Sequence, residues 1–300
     1  MTLVAPFPWF GGKRRVAGMV WERFGGVPNY VEPFAGSLAV LLGRPGPPKV
    51  ETVNDKDCFI ANFWRAVEAK PDEVSEWARQ PVNEADLHAR HAWLIRREEF
   101  REQMLTDPHF CDPKIAGWWL WGVCLWIGGG WCEPREGRTI RSMPGISGPT
   151  HEKWTGDWAT PLKARLRNVR VCCGDWRRVL SPAQTTSLGM TAVFLDPPYS
   201  SEANRDGKLY AEEDLDVAHD VRRWAIEHGE DPLMRIALCG YEGEHPMPAS
   251  WECVPWKANG GYGNQGAGRG RENAGRERVW FSPHCLSVGL FGRDDLAYCR

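Results

Sequence analysis

The chain has 300 residues, with 37 Lys+Arg against 39 Asp+Glu and a formal net charge of -2. That length suits one large α/β domain or one domain carrying an insertion, while 42% apolar and 25% charged residues exclude a disordered or fibrous chain. Near-neutral charge also excludes a uniformly basic nucleic-acid binder, so any such partner must be met by local patches.

In chain order, Asn29-Tyr30-Val31-Glu32 predicts a short strand ending at Pro33. Small residues Ala35, Gly36 and Ser37 then lead into a buried helix over 38–42. A second strand over 50–53 runs into Asn54 and Asp55. The next helix places Phe59, Ile60, Phe63, Trp64 and Val67 on one face, with Pro71 as its stop. From 71 to 160 the pattern changes: mixed charged helices over 84–101, a Trp-rich run over 115–132, then a Gly/Pro/Ser stretch over 133–149. An inserted, mainly helical module with a long loop is expected there. The α/β pattern returns after Pro161, with strands over 169–172, 191–195, 234–239, 251–256 and 278–281 and a helix over 215–227. A Gly-rich, Arg-bearing loop occupies 260–275. Strands alternating with helices imply a doubly wound, mostly parallel sheet of Rossmann-like α/β type. The expected division is 1–70 with 161–300 as one α/β domain, and 71–160 as the insert.

Ten cysteines without C-x-x-C spacing, and no basic-then-apolar leader, point to free thiols in a reducing cytoplasm. His88-x-x-His91 is the nearest thing to metal-ligand spacing, and it has no matching pair nearby, so no metal is expected. The apolar run over 115–132 is broken by Gly122 and by three glycines at 128–130, so no membrane span is expected.

Two segments carry chemistry. Val31 to Ser37 places a strand, a tight turn of small residues and a helix start in series, the nucleotide-type site of a doubly wound sheet. Asp55 ends the next strand, where an acidic side chain accepts from the two hydroxyls of a ribose. A glycine-containing βα turn with an ordinary strand-end Asp is the plain alternative. The second segment, Asp196-Pro197-Pro198-Tyr199, follows an apolar strand at the carboxyl edge of the sheet. An exocyclic amine on adenine is a poor nucleophile because its lone pair is delocalised into the ring. The Asp196 carboxylate and the Pro197 carbonyl would both accept from that amine, drawing it toward tetrahedral geometry. Pro197-Pro198 fixes the turn, and Tyr199 offers a ring face for an extruded base.

These segments, taken together with Pro8-Trp9-Phe10-Gly11-Gly12-Lys13, resemble the Dam-like, D12-class family of DNA adenine-N6 methyltransferases, close to forms found in phages and prophages. Pro8 to Lys13 resembles the family's aromatic-x-Gly-Gly-Lys signature. Val31 to Ser37 resembles its E-P-F-x-G segment, Asn54-Asp55 its ribose-binding N-D, and Asp196 to Tyr199 its catalytic D-P-P-Y. Glu277 to Ser282 resembles its last strand. The resemblance implies a Rossmann-like methyltransferase fold, S-adenosylmethionine as cofactor, double-stranded DNA as partner, and transfer to adenine N6. It implies cofactor contacts from Trp9, Gly11, Gly12, Lys13, Asp55 and Asp196, with Lys13 meeting the methionine carboxylate. Glu32, Phe34 and Gly36 would line the floor of that site. Asp175 either binds the cofactor's adenine or caps the following helix. Ser37 stands where many methyltransferases carry a further glycine. By position, 71–160 would be the target-recognition module.

Trp118, Trp119, Trp121, Trp126 and Trp131 are expected in the core of the insert, with direct DNA stacking as the alternative. The run Arg165, Arg167, Arg170, Arg177 and Arg178 either follows phosphates or forms a solvated face. Arg269, Arg271 and Arg276, amid glycines, suit a loop that orders on DNA. Rival readings are a catalytically silent DNA-binding relative and a methyltransferase for another planar amine, an RNA base or a protein amide. Nothing in the motifs fixes an oligomeric state.

Overall fold

Short apolar strands with both faces covered make the parallel part of the sheet. β1 (Asn29–Glu32), β2 (Val50–Asp55), β3 (Val169–Cys173), β4 (Thr191–Leu195) and β5 (Met234–Tyr241) pair in parallel. β6 (Glu252–Pro255) and β7 (Glu277–Phe281) complete one edge in antiparallel pairing, giving the order β3-β2-β1-β4-β5-β7-β6. The computed structural model describes residues 3–9, 12–47, 49–126, 131–132, 157–199, 212–257 and 275–288. Gly11, the stretch over 133–149, and Arg269 and Arg271 of the Gly-rich loop lie outside the described residues.

Successive strand residues face opposite sides. Tyr30, Ala192, Phe194, Ala237 and Cys239 join one apolar cluster, and Val31, Val193, Leu195, Ile236 and Leu238 join a second. The doubly wound, mostly parallel sheet read from the sequence is therefore the fold observed. Strand order reverses between β1 and β4, and open α/β sheets form their ligand crevice beyond the carboxyl ends of the strands at such a point.

The helices are α1 (Ala17–Phe24), α2 (Ala39–Leu42), α3 (Cys58–Ala69), α4 (Pro71–Ala78), α5 (Glu84–Ile95), α6 (Glu98–Thr106), α7 (Pro113–Leu125), α8 (Ala159–Leu166) and α9 (Glu212–His228). Side-chain oxygens start three of them: Asp57 accepts from Phe59 N, Asn83 from Asp86 N, and Asp112 from Ile115 N. Pro71 ends nothing by itself. α3 stops at Ala69, and Pro71 opens α4 at the position where a missing N–H costs least.

Between β2 and β3, helices α4 to α7 share one apolar cluster with the α/β part: Val74, Leu87, Leu94, Phe100 and Leu120 join Val16, Phe59 and Phe63. Trp119 and Trp121 are buried within it, while Trp118, Trp126 and Trp131 pack at its margin. Gly117 lets α7 lie against Trp77 and the Val74 carbonyl of α4, where a Cβ has no room. Among the described residues the nine cysteines are free thiols, and no helix is long and apolar enough to cross a membrane.

Glu51 of β2 is fully buried and takes two arginines at once. Arg44 stands at 2.9 Å, and Arg165 of α8 at 2.6 and 2.8 Å. Arg165 is thereby withdrawn from the arginine run, while Arg167 and Arg170 stay exposed. A buried ion cluster is costly to break from one side, because the remaining charges lose their partner. Glu51→Ala should therefore lower the unfolding free energy by about 3 to 5 kcal/mol. Urea titration would check this, and a loss under about 1 kcal/mol would mean that water reaches the arginines easily.

Candidate active site

The loops after β1, β2 and β3 are laced together by side chains of the middle strand. Asn54 donates to the Pro33 carbonyl at 3.1 Å and to the Gly174 carbonyl at 2.9 Å. Asp55 accepts from Gly36 N and from Asp57 N, each at 2.9 Å. Trp64 of α3 donates its indole N–H to the Gly36 carbonyl at 2.9 Å. Gly36 is thus held on both backbone groups, with φ +44°, and Trp9 covers the space that a Cβ would fill. The next left-handed residue is Leu38, φ 52°, fully buried. Backbone freedom is needed there rather than at Ser37, and a bulky side chain in that region is rare.

Charges at this edge are poorly hydrated. Burial pushes Glu32 up to about 8, although the Tyr30 hydroxyl donates to it at 2.9 Å. Burial, helped by Asp57, pushes Asp55 up to about 7 against the N–H groups of Gly36 and Asp57. Phe34 and Trp176 flank the neighbouring space, ring centroids 6.2 Å apart. Asp175 takes the capping alternative: it accepts from Arg177 N at 2.9 Å and pairs with the Arg177 side chain in the open.

At the carboxyl end of β4 the second group gathers. Lys13 opens a short 3-10 turn, Lys13–Arg15, and its side chain is 6% exposed. It pairs with Asp196 at 2.9 Å and donates to the Tyr199 hydroxyl at 3.0 Å. Burial works against its charge, yet Asp196, Cys239 and Glu277 around it hold the ammonium above the usual lysine range. The Tyr199 hydroxyl donates in turn to Glu277 of β7 at 2.7 Å, with Asp196 Oδ1 farther off at 3.4 Å. Burial raises the Asp196 and Glu277 carboxyls, with Lys13 pulling both back down. Tyr241 meets the Tyr199 ring edge-on at 4.6 Å, and Trp256 sits 5.5 Å from the Lys13 ammonium.

Of the expected site residues, the structure brings Lys13, Asp196 and Tyr199 into one hydrogen-bonded group on the Pro197-Pro198 turn. Glu32 and Asp55 end the strands β1 and β2, Phe34 and Gly36 stand on the loop after β1, and Gly12 directly precedes the Lys13 turn. Glu277, Trp64, Tyr241 and Trp256 were given no role by sequence reasoning. Glu277 did leave a signal, since it is the one carboxylate in an otherwise apolar and basic strand, Glu277–Phe281.

A doubly wound seven-stranded sheet in which β7 runs against its neighbours, with these loops at its carboxyl edge, is the Rossmann-like methyltransferase architecture. Residues 9–110 match the family described as D12 class N6 adenine-specific DNA methyltransferase, which bears out the family resemblance carried by the motifs. The matched span holds Trp9, Lys13, Glu32, Phe34, Gly36 and Asp55, and it ends before Asp175 and Asp196. No curated protein matches the chain.

Gly36→Ala tests the packing of the Trp9 indole on the turn. A left-handed backbone alone costs a residue with a side chain about 1 to 2 kcal/mol, and the new methyl would also stand 2.5 Å from Trp9 Nε1. Unfolding titrations should show a larger loss with Trp9 present than in a Trp9→Ala background. Equal losses in both backgrounds would place Trp9 elsewhere.

Proposed function

We propose that the protein transfers a methyl group from S-adenosylmethionine to the N6 amine of adenine in double-stranded DNA. The observation that carries this reading is Asp196, a partly buried carboxylate at the end of β4 held by Lys13 beside the Gly36–Asp55 turn. The residues present suit the cofactor. Asp55 supplies an acceptor for ribose hydroxyls, Phe34 and Trp176 offer apolar faces for a purine, and Gly36 keeps the turn free of side chain. Glu32 lines the floor, Trp9 and Gly12 border the entrance, and Lys13 puts positive charge where a carboxylate would lie. Asp175, which also caps the turn that follows it, is a further proposed contact. Bound there, S-adenosylmethionine supplies an electrophilic methyl group on its sulfonium.

The chain's own contribution is placement and charge. Asp196 and the Pro197 carbonyl accept from the amine, which localises its lone pair for attack. Pro197-Pro198 holds both acceptors on a rigid turn. Asp196 need not be a strong base, because the amine becomes acidic only as it gains the methyl group. Tyr199 offers a ring to a base that has left the duplex stack, an extrusion that costs a few kcal/mol. We further propose that 71–160 reads the DNA sequence. That segment presents aromatic and cationic side chains together: Arg97 lies 3.7 Å from the Trp93 ring centre and Lys114 lies 4.5 Å from that of Trp118.

Incubation with labelled cofactor and DNA, followed by nucleoside analysis, should yield N6-methyladenine. Asp196→Ala should lower the single-turnover rate at saturating cofactor by at least about 10²-fold, as loss of one preorganised polar partner does. Label in RNA, protein or no product would overturn the substrate assignment, and unchanged turnover in Asp196→Ala would overturn the mechanism.

Cofactor affinity should depend on pH through Asp55. The ionised carboxylate is the better acceptor, and it becomes the main form only above about 7. Affinity should therefore rise about tenfold between pH 6 and 8, in proportion to the competent fraction. In Asp55→Asn, calorimetry should find that rise flattened and affinity at pH 8 weaker by about 1.5 to 3 kcal/mol. The same pH slope in both proteins would remove Asp55 from the ribose role.

A further inference from the structure

A hydroxyl has one proton to give, and at Tyr199 two carboxylates compete for it. Glu277 Oε2 stands at 2.7 Å from the hydroxyl, and Asp196 Oδ1 at 3.4 Å. Lys13 donates to the same hydroxyl oxygen at 3.0 Å and to Asp196 at 2.9 Å. The direction of the Tyr199 proton is therefore set by Glu277, which lies at the ordinary distance for a strong O–H···O⁻ bond.

The position of Glu277 is fixed by the sheet. It opens β7, where antiparallel register sets it opposite Tyr241 of β5, and its own carbonyl accepts from Trp256 N at 3.1 Å. Tyr241 meets the Tyr199 ring, and Trp256 sits by the Lys13 ammonium. Two backbone-anchored neighbours, Tyr241 and Trp256, thus hold the acceptor against the tyrosine. Glu277 itself is 4% exposed, so water is a poor substitute for it.

We propose that Glu277 is a positioning residue of the transfer step: by taking the Tyr199 proton it keeps a competing donor off Asp196 and leaves that carboxylate to accept from the target amine. The proposal rests on the adenine methyltransferase reading for its catalytic consequence, while its hydrogen-bond arrangement stands on geometry alone. A full hydrogen bond from Tyr199 would draw charge from the Asp196 carboxylate and turn it toward the tyrosine. Asp196 would then be a weaker acceptor at the moment when the amine needs one. Glu277 touches neither the amine nor the cofactor in this account; it acts through Tyr199.

The test compares Glu277→Ala, Glu277→Gln, Tyr199→Phe and the double variant Glu277→Ala/Tyr199→Phe, each at saturating cofactor in single-turnover assays on DNA. Glu277→Ala should slow transfer by about tenfold or more, the consequence of one weakened acceptor. Glu277→Gln keeps a carbonyl acceptor and should stay within about threefold of the parent protein. In the double variant the competing donor is gone, so its rate should exceed that of Glu277→Ala. A merely structural Glu277 would give no such rescue. Crystal structures supply the readout that needs no activity: in Glu277→Ala the Tyr199 hydroxyl should close from 3.4 Å onto Asp196. A double variant as slow as Glu277→Ala, a Glu277→Gln protein as damaged as Glu277→Ala, or a tyrosine that stays in place would each overturn the proposal. A parent protein that transfers no methyl to adenine would instead overturn the functional reading, and the structures would still decide which carboxylate the tyrosine hydroxyl approaches.

Discussion

The Lys13–Asp196 pair is the contact on which the carboxyl edge of the sheet depends. An ammonium with 6% exposure cannot stand alone, since each buried ion without a partner costs several kcal/mol. Pairing with Asp196 at 2.9 Å removes that cost and also joins two parts of the chain 183 residues apart in sequence (196 less 13). The segment before α1 is thereby drawn over the end of β4, bringing Trp9 onto Gly36 and Lys13 under Tyr199.

Acidity dominates the surroundings of that pair. Glu32, Asp55, Asp196 and Glu277 all have carboxyls raised by burial, and Lys13 is the cation common to the last two. Each raised carboxyl is a place where losing solvent has outweighed the local hydrogen bonds. Such an edge favours a bound group that brings positive charge or several donors, because either compensates lost hydration. It disfavours bare phosphate.

Much of this was legible because it is local. Alternation and short apolar runs placed all seven strands within a residue or two, and the turn at Gly36 followed from small residues between a strand and a helix. Asp196 to Tyr199 declared itself by sitting behind a fully buried strand. What the sequence hid was pairing across long distances. Arg165 read either as a phosphate contact or as part of a solvated face, and its pairing with Glu51 makes it neither; no pattern in either segment announces an ion pair between residues 114 apart. Tyr199 read as a stacking ring, but its hydroxyl is the group most tightly held, between Lys13 and Glu277. The left-handed backbone at Leu38 was not legible either, since nothing about a leucine in an apolar run announces it.

The tyrosine also explains why an antiparallel strand matters to a site built on parallel ones. Loops at the carboxyl ends of β1, β2 and β4 converge because those strands run the same way. β7 runs the other way, so its first residue, not its last, lies at this edge, opposite Tyr241 near the end of β5. A parallel β7 would bring its carboxyl end here and carry Glu277 to the opposite side of the sheet. The reversal therefore puts a carboxylate beside Tyr199 without lengthening any loop, and it fixes that carboxylate by ladder hydrogen bonds rather than by loop packing. Rigid strand ends hold such geometry more closely than loops do. For a network in which 2.7 Å against 3.4 Å decides who receives a proton, that stiffness is the requirement.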